Sequence, residues 1–232
     1  MPQPEIYEEH LPGGVSFEMI KVEGGTFERG KEKQVVTVLD FYIGKFPVTQ
    51  AVWTAILKEN PSRFKGENHP VEQVNWKDIQ VFLKKLYGFT GKKYHLPGEA
   101  QWEYAARGGR RSEGLQYAGS NKLKEVGWYG ENSNGQTQSV GLKLPNELGI
   151  CDMSGNVFEW CADYWHDGYD SAYGDGGGSW VAEENNHMRV VCGGSWVSIS
   201  DDCRPSNRFV DITDHSNSSI GFRLSWHSTQ EP

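Results

Sequence analysis

The stretch Arg189-Val-Val-Cys-Gly-Gly-Ser-Trp196 decides the fold, together with a counterpart near the C-terminus, Ile220-Gly-Phe-Arg-Leu-Ser-Trp226. Both runs combine β-branched and aromatic residues with glycine, a composition typical of short strands. Residues 197–219, which lie between them, are rich in polar turn formers. The pattern predicts two strands joined by a long surface segment.

The part of the chain upstream carries two further β signals. Residues 17–27 alternate in polarity and then break at Gly24-Gly25, which predicts strand, turn and strand. The run Val35-Val-Thr-Val-Leu-Asp-Phe-Tyr-Ile43 is also β-rich and ends at Gly44. From about residue 110 onward Gly, Asn, Asp and Ser recur every few residues, so few helices are expected there.

Three helices are predicted in the first half of the chain. Thr49 can cap a helix that runs to about Lys58. Asn75 is placed to cap a second helix, which Gly88 is placed to stop. Its apolar residues recur at helical spacing: Ile79, Phe82, Leu83 and Leu86. A shorter helix fits Pro97–Arg107, with proline near its first turn. Helices and strands together indicate one α+β domain.

Composition restricts the classes of partner. The chain has 232 residues, 37% of them hydrophobic, and a formal net charge of -8. Nucleic acids and anionic membranes require a basic face, so neither is expected as a partner. Apolar runs are too short to cross a bilayer, so membrane insertion is not expected either.

The first nine residues and the four cysteines bear on the compartment of the protein. The first residues, Met1 to Glu9, have no basic and apolar segments of the kind that form a secretory signal. A cytoplasmic location is therefore the default expectation, and surface display would require that a signal had been removed. The four cysteines form no C-x-x-C pair, which favours reduced, buried thiols over a zinc site. A disulfide among them stays open.

Six motifs in order give the chain a family resemblance. They are Phe41-Tyr-Ile-Gly-Lys-Phe-Pro-Val-Thr-Gln50, Pro70-Val-Glu-Gln-Val-Asn-Trp76, Leu96-Pro-Gly-Glu-Ala-Gln-Trp-Glu-Tyr-Ala-Ala-Arg-Gly-Gly109, Asp152-Met-Ser-Gly-Asn-Val-Phe-Glu-Trp160, Gly193-Gly-Ser-Trp196 and Gly221-Phe-Arg223. Together they resemble the formylglycine-generating-enzyme (sulfatase-modifying factor) family. The resemblance implies a C-type-lectin-like fold of few regular elements and much irregular loop. It indicates a single domain over 17–232, preceded by an N-terminal extension, 1–16.

The oxidase chemistry of that family is not expected here. The resemblance implies two cysteines spaced C-x-x-x-x-C after the Gly-Gly-Ser-aromatic motif, where they hold copper(I). Here the second position is Cys203, but the first is Ser198. A hydroxyl is a poor ligand for a soft ion, so no copper and no catalytic residues are predicted. An uncharacterised enzyme of the same family is the alternative.

Variable proteins of diversity-generating retroelements resemble this family too, and they fit the C-terminal part of the chain best. The frame from Gly193-Gly-Ser-Trp196 to Ile220-Gly-Phe-Arg-Leu224 implies a variable region at about 190–226. The resemblance makes this region a binding surface for a protein or a cell-surface ligand. The expected ligand-binding positions are Val197, Ser198, Ile199, Ser200, Asp201, Phe209, Val210, Asp211, Ile212, His215, Ser218 and Ser219.

Two observations on the residues favour this interpretation. The residue types at these positions can be reached from an asparagine codon by replacing adenines alone, which is how such proteins are diversified. Phe209, Val210 and Ile212 are apolar residues in a polar segment, and if exposed they would form a small patch of the kind that marks a binding site. The alternative is that they anchor the loop in the core.

The motif at residues 152–159 is a candidate calcium site. Carboxylates and backbone carbonyls are the hard oxygen ligands that calcium prefers. The resemblance implies side-chain ligation by Asp152 and Glu159 and carbonyl ligation by Gly155 and Val157. A second family site is not expected, because Val126 stands about where an asparagine ligand would be. The alternative is that residues 155–156 form a simple turn; either way the role would be structural.

Overall fold

The computed structural model describes residues 4–167 and 187–227 and confirms the α+β class. Ten strands are present in these ranges: β1 Ile6–His10, β2 Ser16–Val22, β3 Gly25–Arg29, β4 Gln34–Val38, β5 Phe41–Gly44, β6 Phe158–Tyr164, β7 Met188–Cys192, β8 Arg208–Ile212, β9 Ile220–Gly221 and β10 Ser225–Trp226. The helices are α1 Gln50–Leu57, α2 Trp76–Thr90, α3 Glu99–Ala106 and α4 Leu123–Val126. Single 3-10 turns occupy Gly109–Arg111 and Ser200–Cys203. Long irregular segments connect these elements, as expected.

The first sheet joins the two ends of the described chain. Its order is β1-β2-β5-β10, and all of its pairings are antiparallel. β1 lies in the segment that the sequence predicted to be an extension, and it pairs with β2 over its full length. This corrects the boundary predicted at residue 17: the sheet begins at Ile6, because backbone pairing with β2 incorporates a polar strand that shows no clear alternation.

A hairpin and a third sheet complete the β structure. β3 and β4 pair only with each other, so the predicted strands on either side of Gly24 form but belong to different sheets. The predicted run at residues 35–43 likewise divides into β4 and β5. The third sheet has the order β8-β7-β6-β9, with β9 parallel to β6.

The strands predicted at residues 189–196 and 220–226 are shorter than expected. β7 ends at Cys192, before the Gly-Gly turn, and the run at residues 220–226 divides into β9 and β10, which belong to different sheets. β8 was not predicted. It forms the edge of the third sheet, and its mixture of polar and apolar residues resembles a loop in sequence.

The helix ends follow from local side-chain chemistry. The Thr49 hydroxyl accepts from the Val52 N–H, and Asn75 forms a reciprocal capping box with Asp78. The second helix continues past Gly88 and ends at Gly91, whose φ of 69° is the left-handed conformation that closes a helix. The cap positions are therefore confirmed, and the predicted stop at Gly88 is wrong.

Two large apolar clusters, with a smaller third one that includes Leu123, Val126 and Cys203, form the core of the described residues. In the first, Trp53 stacks on Phe82 with 5.1 Å between ring centroids, and both rings contact Phe222 edge-on. The second is built around Trp102 beneath α3. All four cysteines are free and buried. Within the described ranges, the helices are too short and polar to cross a membrane.

Candidate functional site

Two left-handed glycines begin the segment that carries the expected binding positions. Gly193 has a φ of 96° and Gly194 a φ of 73°. A Cβ at Gly194 would lie 2.6 Å from the Cys203 Sγ, so a side chain there has no room. The Gly193 carbonyl accepts from the Gly155 N–H at 2.7 Å. The turn after β7 is therefore fixed against the motif at residues 152–160.

Trp196 ties the two ends of the predicted loop together. Its indole N–H donates to the Ser218 carbonyl at 2.8 Å, and its ring meets Phe64 edge-on at 5.3 Å. Its own carbonyl accepts from the Ser133 hydroxyl at 2.7 Å. The segment that begins after Trp196 and ends at Ser218 is thus joined at its two ends by one hydrogen bond.

Most of the predicted binding positions reach the surface. We use the name C-terminal surface for residues 197–201 and 209–219. Four of its apolar side chains are clearly exposed: Val197 (58%), Ile199 (68%), Val210 (41%) and Ile212 (52%). Ser200, Asp201 and His215 are exposed too, while Asp211, Ser218 and Ser219 are half-buried. Met188 of β7, which sequence reasoning missed, is also exposed and pairs directly with Ile212.

Ser198 is an exception among the predicted binding positions, because it is buried. It is only 6% exposed. Its hydroxyl accepts from the Ser195 N–H at 3.0 Å and lies 3.3 Å from the Ser195 hydroxyl. Its carbonyl accepts from the Gly130 N–H. Ser198 thus stabilises the turn, because the left-handed glycines direct the chain inward at this position.

Phe209 divides the predicted apolar patch. It is half-buried, meets Phe158 edge-on at 5.1 Å and lies opposite Val191 across β7 and β8. Val210 and Ile212 are exposed, and their side chains alternate with that of Phe209 along the edge strand. The alternative of a core anchor therefore holds for Phe209 and fails for the other two.

A buried charge cluster holds the edge strand in place. Arg208, the first residue of β8, lies 2.8 Å from the Glu99 carboxylate and stacks over the Trp165 ring at 4.3 Å. Glu99 is paired in turn with the fully buried Arg29 of β3 at 2.5 Å. Glu99 and Trp165, which are remote from Arg208 in the chain, thus fix the start of β8.

The far end of the surface is fixed to α2. The Trp76 N–H donates to the Thr213 carbonyl, and Lys77 pairs with Asp214 at 2.7 Å. Next to these contacts, the His215 Nδ1 lies 2.8 Å from both Asp211 carboxylate oxygens. The expected positions in this part are thus displayed from a turn that is secured at both sides.

The motif at residues 152–159 is held by an arginine rather than arranged around an open cavity. Arg223 is fully buried, and its guanidinium donates to both Glu159 oxygens at 2.6 and 2.7 Å. The Trp102 indole N–H also donates to Glu159, at 2.6 Å. The Asp152 oxygens accept from the Gly141 N–H and the Asn156 amide. Burial raises the pKa of Asp152 to about 6.

This arrangement does not fit the expected calcium ion. Glu159 is already neutralised by Arg223, and each oxygen of both carboxylates has a protein donor. Gly155, with a φ of 93°, packs so tightly that a Cβ would lie 2.2 Å from the Trp128 carbonyl oxygen. Among the described residues no cluster of three or more metal-binding side chains occurs. The structure favours the turn over the metal site, and Val126 is buried in α4 as an ordinary core residue.

Copper does not fit either. Burial raises the pKa of the Cys203 thiol to about 12, so the thiolate that would bind copper(I) is disfavoured. Its expected partner position carries the Ser198 hydroxyl, which is engaged by Ser195.

Glu72 is a supporting residue that sequence reasoning missed. Its side chain is fully buried, one oxygen accepts from the Phe64 N–H at 2.8 Å, and the other has no hydrogen-bond partner. Burial raises the pKa of this carboxyl to about 7. Since Phe64 packs against Trp196, Glu72 holds the loop that supports the C-terminal surface. A glutamate between two valines of the motif at residues 70–76 was the available signal.

The chain matches a known protein family over most of its length. The model of the sulfatase-modifying factor enzyme 1-like domain matches residues 14–228. The chain is 37% identical to the chaperone protein LppX of Paenibacillus barcinonensis, over 79% of this chain and 80% of that protein. It is 32% identical to the formylglycine-generating enzyme of Streptomyces coelicolor over 67% of this chain, and the match covers 52% of that enzyme.

A solved structure is also similar along nearly the whole chain. Treponema denticola variable protein 1 superposes with a TM-score of 0.82 and 29% identity, covering 97% of this chain and 99% of that protein.

Removing calcium should leave the protein unchanged. Because Arg223 already neutralises Glu159, we expect EDTA, or calcium added in excess, to shift the melting temperature by less than about 1 °C, far below what a tightly bound ion contributes. Differential scanning calorimetry measures this. A rise of several degrees with calcium that is absent in Asp152→Asn would contradict it.

The pair between Arg223 and Glu159 should be costly to break. We expect Arg223→Lys to lower the free energy of unfolding by about 3 kcal/mol or more, because lysine cannot donate to both Glu159 oxygens and to the Gly44 and Cys151 carbonyls at once, and buried acceptors would lose their donors. Urea denaturation measures the loss. Arg204→Lys, at a partly exposed arginine that pairs with Asp201, is the matched control and should change stability by less than about 0.5 kcal/mol.

Glu72 should make stability depend on pH. Its raised folded-state pKa means that its contribution is fully present below about pH 4.5 and is lost as the pH rises through about 7. We therefore expect Glu72→Gln to stabilise the protein by roughly 1–3 kcal/mol at pH 8 and not at pH 4. Denaturation at both pH values tests this, with the exposed Glu67→Gln as control. A gain of equal size at both pH values would show that ionisation is not the cause.

Proposed function

The chain belongs to the sulfatase-modifying factor enzyme 1-like family and has its C-type-lectin-like fold, and from this we propose that it is a non-catalytic binding protein that presents the C-terminal surface to a ligand. The observation that carries the proposal is the alternation within residues 197–212. Four apolar side chains are exposed there, while their neighbours Ser198 and Phe209 are buried or half-buried as anchors.

The exposed apolar residues support binding on physical grounds. An aliphatic side chain in water gains about 25 cal/mol for each Å² that a partner covers. The folded chain leaves apolar area exposed that a partner could bury, at Val197, Ile199, Val210 and Ile212. Asp201 and His215 add polar groups of the kind that give a contact its specificity.

The scaffold beneath supports tolerance to change. Trp196, Arg208 and Thr213 hold the surface by contacts to other elements. None of these contacts uses an exposed side chain of the surface itself. Substitutions at the exposed positions would thus change the side chains that a ligand contacts without breaking the contacts that hold the segment. This is the arrangement seen where binding loops are carried by a rigid framework.

The variable-protein relationship supports the same function. The similar solved structure is a variable protein by name, and its fold covers nearly the whole of this chain. Another relative is named a chaperone protein. A protein or another cell-surface ligand is the proposed partner. The net charge of -8 disfavours nucleic acid.

The alternative is an enzyme of the same family, since some relatives are formylglycine-generating enzymes. Ser198 and the protonated, buried Cys203 argue against that reaction in this chain. We therefore propose that it does not generate formylglycine.

Randomising the surface tests the proposal. One yeast-displayed library varies seven exposed positions, namely Val197, Ile199, Ser200, Asp201, Val210, Ile212 and His215. A matched library varies four inward positions, namely Val191, Ser198, Cys203 and Phe209. We expect most members of the first library to display and melt within a few degrees of the parent, because exposed changes cost little. Most members of the second should fail, because core changes create cavities or strain.

Equal failure of the two libraries would overturn the proposal, since the exposed positions would then be structural. Copper uptake provides an independent arm. One equivalent of copper(I) bound by the unmodified protein, and lost in Cys203→Ser, would favour the enzyme.

A further inference from the structure

A cavity lies away from the C-terminal surface and shares none of its residues. It encloses about 180 Å³ beside the first sheet and the start of α1. By volume this is room for about six water molecules, or for one small organic group. Its floor is apolar and buried, formed by Pro47, Val48, Val52 and Leu224, and the half-buried rings of Phe17 and Phe46 form part of its walls.

The polar rim of this cavity is acidic. Glu8 and Glu18 line it from neighbouring strands, and they are directly opposite each other in the β1–β2 register. Like charges in that relation destabilise a sheet. A protein that keeps such a pair at the mouth of a cavity holds an unfavourable interaction that a cation would relieve.

A lysine of the chain itself already pairs with one of the two rim carboxylates. The Lys45 ammonium lies 2.8 Å from the Glu18 carboxylate and 5.3 Å from the centroid of the Phe46 ring. This is the pairing of an ammonium with a carboxylate and an aromatic face. Lys45 balances one of the two rim charges. Glu8 remains half-exposed, and in the described part of the chain its carboxylate pairs with no lysine or arginine; the His10 imidazole lies 3.9 Å away.

We propose that this cavity binds a small organic ammonium compound with an apolar body. The ammonium would lie at the Glu8 carboxylate, and the body would lie on Val48, Val52 and the Phe17 ring. Anions are disfavoured by the two carboxylates, and a larger ligand exceeds the volume. This inference does not depend on the proposed role of the C-terminal surface.

Benzylamine is a suitable probe, with benzyl alcohol as its neutral counterpart of similar size. Titrations followed by two-dimensional amide NMR should show saturable shifts at residues 16–18 and 44–52 with benzylamine. We expect a dissociation constant in the millimolar range, because so small a contact gains little. Benzyl alcohol should bind at least about fivefold more weakly, and added salt should weaken benzylamine alone.

Three variants separate recognition from folding. Glu8→Gln should weaken benzylamine about fivefold, yet leave the melting temperature of the free protein equal or higher, because it removes the repulsion with Glu18. Ser16→Trp places a ring at the mouth, from an exposed position, and should abolish binding. Glu28→Gln, an exposed carboxylate on β3, removes the same charge elsewhere and should change nothing.

Three results would overturn the proposal. Shifts that do not saturate would show that no site exists. Equal affinity for benzyl alcohol would show an apolar cavity without ammonium recognition. Equal weakening by the variants at Glu8 and Glu28 would reduce the effect to overall charge.

Discussion

The fold depends on one buried guanidinium. Arg223 donates to Glu159 of β6, to the Gly44 carbonyl at the end of β5 and to the Cys151 carbonyl of the central loop. Through Glu159 the same network reaches Trp102 of α3. Two sheets, a helix and a long irregular segment are thus held in one geometry by a charge that has no access to water. Such a pair adds little net stability, but any arrangement that leaves one partner unmatched is strongly disfavoured.

This constraint explains how so irregular a chain presents a defined surface. The turn at Gly193 docks on the loop that Arg223 holds, and Trp196 carries that order outward to Ser218. The residues beyond are arranged by backbone contacts and by buried anchors. Framework and display are separate sets of side chains, although they alternate along the same few residues. The exposed side chains can therefore contact a ligand while the framework side chains keep their contacts.

The sequence predicted those parts of the fold whose signals are local. The caps at Thr49 and Asn75 were found because a cap and the turn it satisfies are neighbours in the chain. β1 and β8 were missed because pairing with another strand, and not their own pattern, makes them strands. The inward direction of Phe209 is likewise set by its register with Val191.

The pairing of Glu159 with Arg223, which bears on the predicted calcium site, was equally invisible in the sequence, since the two residues are far apart in the chain and only the fold brings them together.

The position of Arg223 in the chain also has a consequence during synthesis. Gly44 and Glu159 leave the ribosome well before the guanidinium that joins them, and β5, which can pair early with β2, must wait for β10 as its second neighbour. Contacts of such long sequence separation are closed late and slowly. Until Arg223 and β10 have been made, the nascent chain therefore leaves one edge of β5 unpaired and Glu159 without its guanidinium partner. An unpaired strand edge is a template for pairing with another chain, so the nascent chain is most prone to aggregate before β10 is made.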